Sequence, residues 1–111
     1  MTRRNGVIRT KFGVNLPTRV PVGGVVYSVY DRRLRGKRTF GLCDPVKLEV
    51  VIDVAKHASA LELFQTWEHE VGGHCVEAET GIKRPHSDLN AEAHMRTQIL
   101  SALIGAQDAK R

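Results

Sequence analysis

The chain has 111 residues and 12.3 kDa, the size of one domain with a modest core. Apolar residues make up 41% and charged residues 26%, which excludes a disordered tail, a collagen-like chain and a low-complexity chain. The net charge is +5, and it is unevenly spread. Residues 1–47 hold 11 Lys/Arg against 2 Asp/Glu, whereas residues 48–111 hold 6 against 10. The basic half suits a polyanion or an acidic partner. The acidic half concentrates Glu and His, the material of metal and acid–base chemistry.

No apolar run approaches a membrane span, and no apolar stretch follows the basic start, so the expectation is a cytoplasmic protein with no membrane partner. Two cysteines, Cys43 and Cys75, allow one disulfide but not a disulfide scaffold, and reduced thiols are the simpler reading. There is no internal repeat and no linker long enough to divide the chain, so residues 1–111 read as a single domain.

Residues 1–21 are punctuated by Asn5-Gly6, Gly13, Pro17 and Pro21. They read as a basic, turn-rich segment with one short strand, Val7–Phe12. Val25–Tyr30 reads as a strand, Asp31–Lys37 as a polar connection and Arg38–Leu42 as the returning strand. Lys47–Val54 is the clearest strand: Leu48, Val50, Ile52 and Val54 alternate with Lys47, Glu49, Val51 and Asp53. Arg32, Arg33, Arg35, Lys37 and Arg38 crowd the connection. They read first as a solvated turn and second as a weak nucleic-acid contact. No aromatic platform is interleaved with them.

The period then changes. Ser59 with Glu62 predicts a capping box. Leu61, Phe64, Trp67, Val71, Cys75 and Ala78 follow at helical spacing, and Gly81 suits the residue just past the helix end. Trp67 and Cys75 read as core packing. Pro85 and Ser87 lead into a second helix with Leu89, Ala93, Leu100, Leu103 and Ile104 as its apolar stripe. The whole is an α+β pattern, a short antiparallel β-meander followed by two helices.

His69-Glu70-Val71-Gly72-Gly73-His74 occupies the middle of the first helix. Two histidines flanking a glutamate on a helix can bind zinc while the glutamate acts on the metal's water. Here the histidines stand at i and i+5, roughly 140° apart on an ideal helix. A π-bulge would return them to about 40°. Gly72-Gly73 is where such a distortion is easiest. Two glycines mid-helix also cost about 1 kcal/mol each relative to alanine, which argues that they serve something. Without a bulge, Glu70, His74 and Glu77 would share a face instead.

The segment resembles zinc-dependent peptidases of the zincin group. HEVGGH fits the HExxGH variant of dipeptidyl peptidase III. Size and layout, over about residues 38–105, are similar to minimal zincin domains of the ImmA/IrrE-like and phage-encoded kinds. The resemblance implies His69 and His74 as zinc ligands and Glu70 as general base. A third ligand is sought among Glu77, Glu79, His86, Asp88, Glu92 and His94. Glu92 lies about 60° from Leu89 on the second helix and His94 about 140°. Glu92 is chosen, because the minimal zincins place an acidic ligand similarly, and His86 stands second. The expected function is a zinc metalloprotease acting on a peptide or protein. The strand Lys47–Val54 would pair with extended substrate along its edge. The alternative is a non-catalytic basic module for nucleic acid or an acidic protein, with a structural metal or none.

Overall fold

The computed structural model describes the backbone of residues 3–4, 6–83 and 85–108 and the side chains of residues 6–83 and 85–97. Two sheets come first. Strands β1 (Arg3–Arg4), β2 (Val7–Arg9) and β3 (Asn15–Pro17) pair antiparallel in that order. The second sheet contains β4 (Arg19–Val22), β5 (Val25–Asp31), β6 (Gly41–Asp44) and β7 (Glu49–Ile52), in spatial order β4-β5-β7-β6. The expected strand Val7–Phe12 is present but ends at Arg9, and the segment 1–21 carries further strands beside it. Its glycines and prolines punctuate strands too short to show a period. Pro21 is tolerated because β4 is an edge strand, where a missing N–H breaks no ladder.

The α+β class is as expected, but the second sheet is not a plain meander. β4 and β5 form a hairpin across Gly23-Gly24, with Val22 opposite Val25 and Gly23 at φ 63°. β5 and β7 run parallel, with Val29 beside Val50. The chain between them contributes β6, which returns antiparallel to β7 with Leu42 opposite Val51. β7 is thus interior, and this corrects two expectations. Its two faces are both covered: Val51 and Asp53, expected on the polar face, are buried along with Val50 and Ile52. The strand with an open edge is β6, not β7.

Asp53 and Lys56 hold the basic connection in place. The Leu34 N–H donates to Asp53 Oδ2 at 2.8 Å, and Arg33 pairs with Asp31 and Asp53. The Lys56 ammonium donates to the carbonyls of Leu34, Gly36 and Thr39 at 2.6, 2.6 and 2.7 Å. Three donors meet three carbonyl acceptors, so one side chain satisfies three of the loop's carbonyls.

Helix α1 (Ala60–His69) runs into a π-helical segment, Glu70–Cys75, and then α2 (Val76–Thr80). The Glu62 N–H donates to Ser59 Oγ at 3.1 Å, the first half of the predicted box, while the Glu62 carboxylate accepts at 2.9 Å from the N–H of Ala58, one residue before the cap. Gly81 closes the helix at φ 73°. The buried face differs from the expected stripe at its two ends: Leu63 is fully buried in place of Leu61, and Leu61 and Ala78 are exposed. Leu63, Val71 and Cys75 join Ile8, Leu16, Tyr27, Val29, Val50 and Ile52 in one core, with Trp67 packed against it. Helix α3 (His86–Asp108) lies against α1 through buried Leu89 and Ala93. The side chains of Leu100, Leu103 and Ile104 lie outside the described residues. Among the described residues no helix is long and apolar enough to cross a membrane.

Candidate metal centre

The π segment decides the geometry. Its i→i+5 hydrogen bonding brings residues five apart onto one face. His69 closes α1 and His74 lies near the end of the π segment, and their Nε2 atoms are 3.1 Å apart. The unbulged face of Glu70, His74 and Glu77 is therefore not what the chain adopts. Neither Gly72 nor Gly73 has a positive φ. Their use is close approach. A Cβ on Gly73 would meet Leu89 Cδ2 at 3.3 Å, and one on Gly72 would meet Arg96 Nη2 at 3.1 Å. Gly73 lets α3 lie directly on the π segment, while Gly72 leaves room for the ends of Arg96 and Glu68.

That docking delivers the third imidazole. His86 is the first residue of α3, and its Nε2 lies 3.1 Å from that of His69 and 3.3 Å from that of His74. Tetrahedral zinc with Zn–N bonds of about 2.0–2.1 Å requires neighbouring nitrogens about 3.3 Å apart. Three Nε2 atoms at that spacing are one face of such a tetrahedron. Hydrogen bonding alone satisfies the triangle poorly, because each neutral imidazole has a single N–H to give. His69, His74 and His86 could hold a metal ion.

Glu92, the expected third ligand, is elsewhere. It stands six residues after His86, about 120° around the helix. Its Oε1 accepts from Arg96 Nη1 at 3.4 Å, and Arg96 Nε in turn donates to Glu68 Oε2 at 2.6 Å. Glu92 thus takes part in an ion-pair bridge between α3 and α1. His94 faces Gln65, with Nδ1 and Nε2 3.4 Å apart. Glu79 accepts from the Tyr27 hydroxyl at 2.7 Å and belongs to the core's rim. Glu77 supports the centre without joining it: Oε1 lies 3.2 Å from His74 Nδ1. A carboxylate on the far nitrogen fixes the ring and its tautomer, leaving Nε2 to face the cluster.

The three histidines line an open cleft of about 1150 Å³ together with Glu70 and with Thr39–Cys43 of β6 and its approach. Glu70 is buried, and burial raises its carboxyl pKa to about 7. His69 is lowered to about 4, first by burial and then by the neighbouring His74 and His86 charges. Near neutral pH the His69 ring is therefore neutral, with a lone pair to offer. Glu70 can both accept and release a proton there.

No protein family, no curated protein and no solved structure matches this chain. The reading rests on the residues themselves.

Two contributors gave no signal in the sequence. Gly41 opens β6 directly over Glu70, where a Cβ would stand 2.8 Å from Glu70 Cγ. His57 is buried between elements, with Nδ1 2.9 Å from the Asp53 carbonyl and Nε2 2.7 Å from Thr66 Oγ1. It ties the turn after β7 to α1, one turn before Glu70.

Proposed function

We propose that this protein is a zinc-dependent hydrolase that cleaves peptide bonds in its cleft. The observation that carries the reading is the three-nitrogen face of His69, His74 and His86 beside a buried carboxyl of raised pKa. Zinc held there would supply Lewis acidity and lower the pKa of water to about 7. His69, His74 and His86 would hold the ion, and Glu77, on Nδ1 of His74, would orient that ring. Glu70 takes the proton of the attacking water and passes it to the leaving amine. The outer edge of β6 offers backbone N–H and C=O groups to an extended peptide, so the substrate would lie antiparallel or parallel to Gly41–Asp44.

The test pairs metal content with cleavage. Wild type should bind one zinc per chain and cleave members of a mixed peptide library. Glu70→Gln should keep the zinc and lose about 10²–10⁴-fold in rate, the usual worth of a positioned acid–base group. Zinc loss in Glu70→Gln would make Glu70 a ligand. Undiminished cleavage would remove it from the mechanism. Zinc without cleavage in wild type would favour a structural metal in a non-catalytic module.

A further inference from the structure

Cys43 and Cys75 are distant in sequence, yet their Sγ atoms lie 3.2 Å apart. Cys43 is half-buried on β6 and lines the cleft. Cys75 is completely buried at the end of the π segment, next after His74. Both are free thiols. A disulfide bond is about 2.05 Å long, so the two sulfurs need to close by only about 1.2 Å. The arrangement also separates roles by access. Cys43 is open to a small molecule from the cleft, and Cys75 is reached through Cys43. Buried free cysteines usually pack as small apolar residues, and a lone one would carry nothing. Here the two pack sulfur to sulfur, across the contact between the edge strand and the metal-bearing helix.

We propose that Cys43 and Cys75 are a reversible dithiol–disulfide site in the cleft wall, oxidised by small hydroperoxides and restored by dithiols. The Cys43 thiolate attacks the hydroperoxide. An S–O bond forms, the O–O bond breaks, and the alcohol (water, for hydrogen peroxide) leaves. The Cys75 sulfur then attacks the Cys43 sulfur. The S–S bond forms, the S–O bond breaks, and water leaves with the Cys75 proton. Two thiols and one hydroperoxide become one disulfide, one alcohol and one water, with two electrons passing to the peroxide oxygen. The cross-link ties β6 to the π segment that carries Glu70, and Gly41, two residues before Cys43, packs on that glutamate. The inference is independent of hydrolysis and its readouts involve none.

The experiment treats folded, reduced protein with one equivalent of hydrogen peroxide, then alkylates under denaturing conditions. Wild type should lose two hydrogens, resist alkylation at both cysteines and yield a peptide linked through Cys43 and Cys75. It should stay monomeric on a non-reducing gel. Its melting temperature should rise by on the order of 10 °C, because the loop closed is long, and dithiothreitol should reverse the change. Cys43→Ser should leave Cys75 fully alkylatable. Cys75→Ala should accumulate a sulfenic acid at Cys43 that dimedone traps. Should Cys75→Ala not fold, the half-buried Cys43→Ser still decides the point. Both thiols alkylatable after treatment, oxygen added in place of hydrogen lost, or a bond between two chains would each overturn the proposal.

Discussion

Gly41 and Glu70 touch across the cleft so closely that no side chain fits between them. A Cβ on Gly41 would stand 2.8 Å from Glu70 Cγ and 3.2 Å from its Oε2, with Thr66 Cγ2 at 3.0 Å. Glu70 cannot retreat, because it is buried on a helix whose other face is core. Gly41→Ala therefore pushes the carboxyl out of place. Overpacking of this kind costs about 1–3 kcal/mol. A shift near 1 Å in a catalytic group costs about 10²-fold in rate. The expected outcome is zinc retained at wild-type stoichiometry, a lowered melting temperature and cleavage reduced about 10²-fold. Wild-type cleavage by Gly41→Ala would show that Glu70's position is not critical.

His86 and Glu92 stand on different faces of α3, and substitution separates them. His86→Ala removes one corner of the nitrogen triangle and should lose most of the bound zinc, with the stability the metal confers. Glu92→Ala breaks a partly exposed contact to Arg96. Such pairs contribute about 0–1 kcal/mol, so zinc content should be unchanged and the melting temperature barely lower. Metal analysis after purification without added zinc reads both. Zinc loss in Glu92→Ala with retention in His86→Ala would reverse the assignment.

The sequence shows His69 and His74, two members of the histidine cluster, because they sit on one continuous helix, where a spacing of five converts directly into a need for a π turn. It predicts Ser59, Glu62 and Gly81 for the same reason, since caps are local. His86 is not readable in this way. Its position depends on how α3 docks, and docking depends on Leu89 meeting Gly73. Leu89 is buried, as the helical angles require, but those angles point to Glu92 and miss that a helix's first residue can reach past the end of its own stripe. The parallel pairing of β5 with β7 was equally hidden, since register between distant strands leaves no local period. The alternation read in β7 reports faces, not edges, so it could not show that both its edges are paired.

The basic connection should behave as a weak polyanion contact. Arg33 is engaged with Asp31 and Asp53, and Arg32 lies over the Tyr30 ring at 4.3 Å. Arg35, Lys37 and Arg38 are exposed. About three phosphate contacts give a salt slope near −3, a loss of about 40-fold in affinity between 50 and 200 mM salt. Fluorescence anisotropy with a short duplex tests this, and Arg35→Gln with Lys37→Gln should flatten the slope by about two. Tight, sequence-selective binding that persists at high salt would place the protein in a different functional class.

Gly72 and Gly73 adjoin in sequence, yet alanine at the two positions should act in opposite directions. At Gly73 the new Cβ meets Leu89 at three atoms, Cδ2 at 3.3 Å, Cδ1 at 3.5 Å and Cβ at 3.7 Å. Leu89 is buried and cannot give way without moving α3. His86 is three residues earlier on that helix, so displacement of α3 opens the nitrogen triangle. Gly73→Ala should therefore lower the melting temperature and weaken zinc binding together. At Gly72 the Cβ meets the ends of Arg96 and Glu68, at 3.1 and 3.2 Å. Those are the tips of flexible, partly exposed side chains that can swing aside. What remains is the backbone term, in which alanine is favoured over glycine inside a helix by up to about 1 kcal/mol. Gly72→Ala should leave zinc binding intact and leave stability unchanged or slightly higher. Thermal melts with and without zinc, run on both variants, read the contrast. If Gly72→Ala alone loses the metal, the glycines serve the π turn itself rather than the approach of α3.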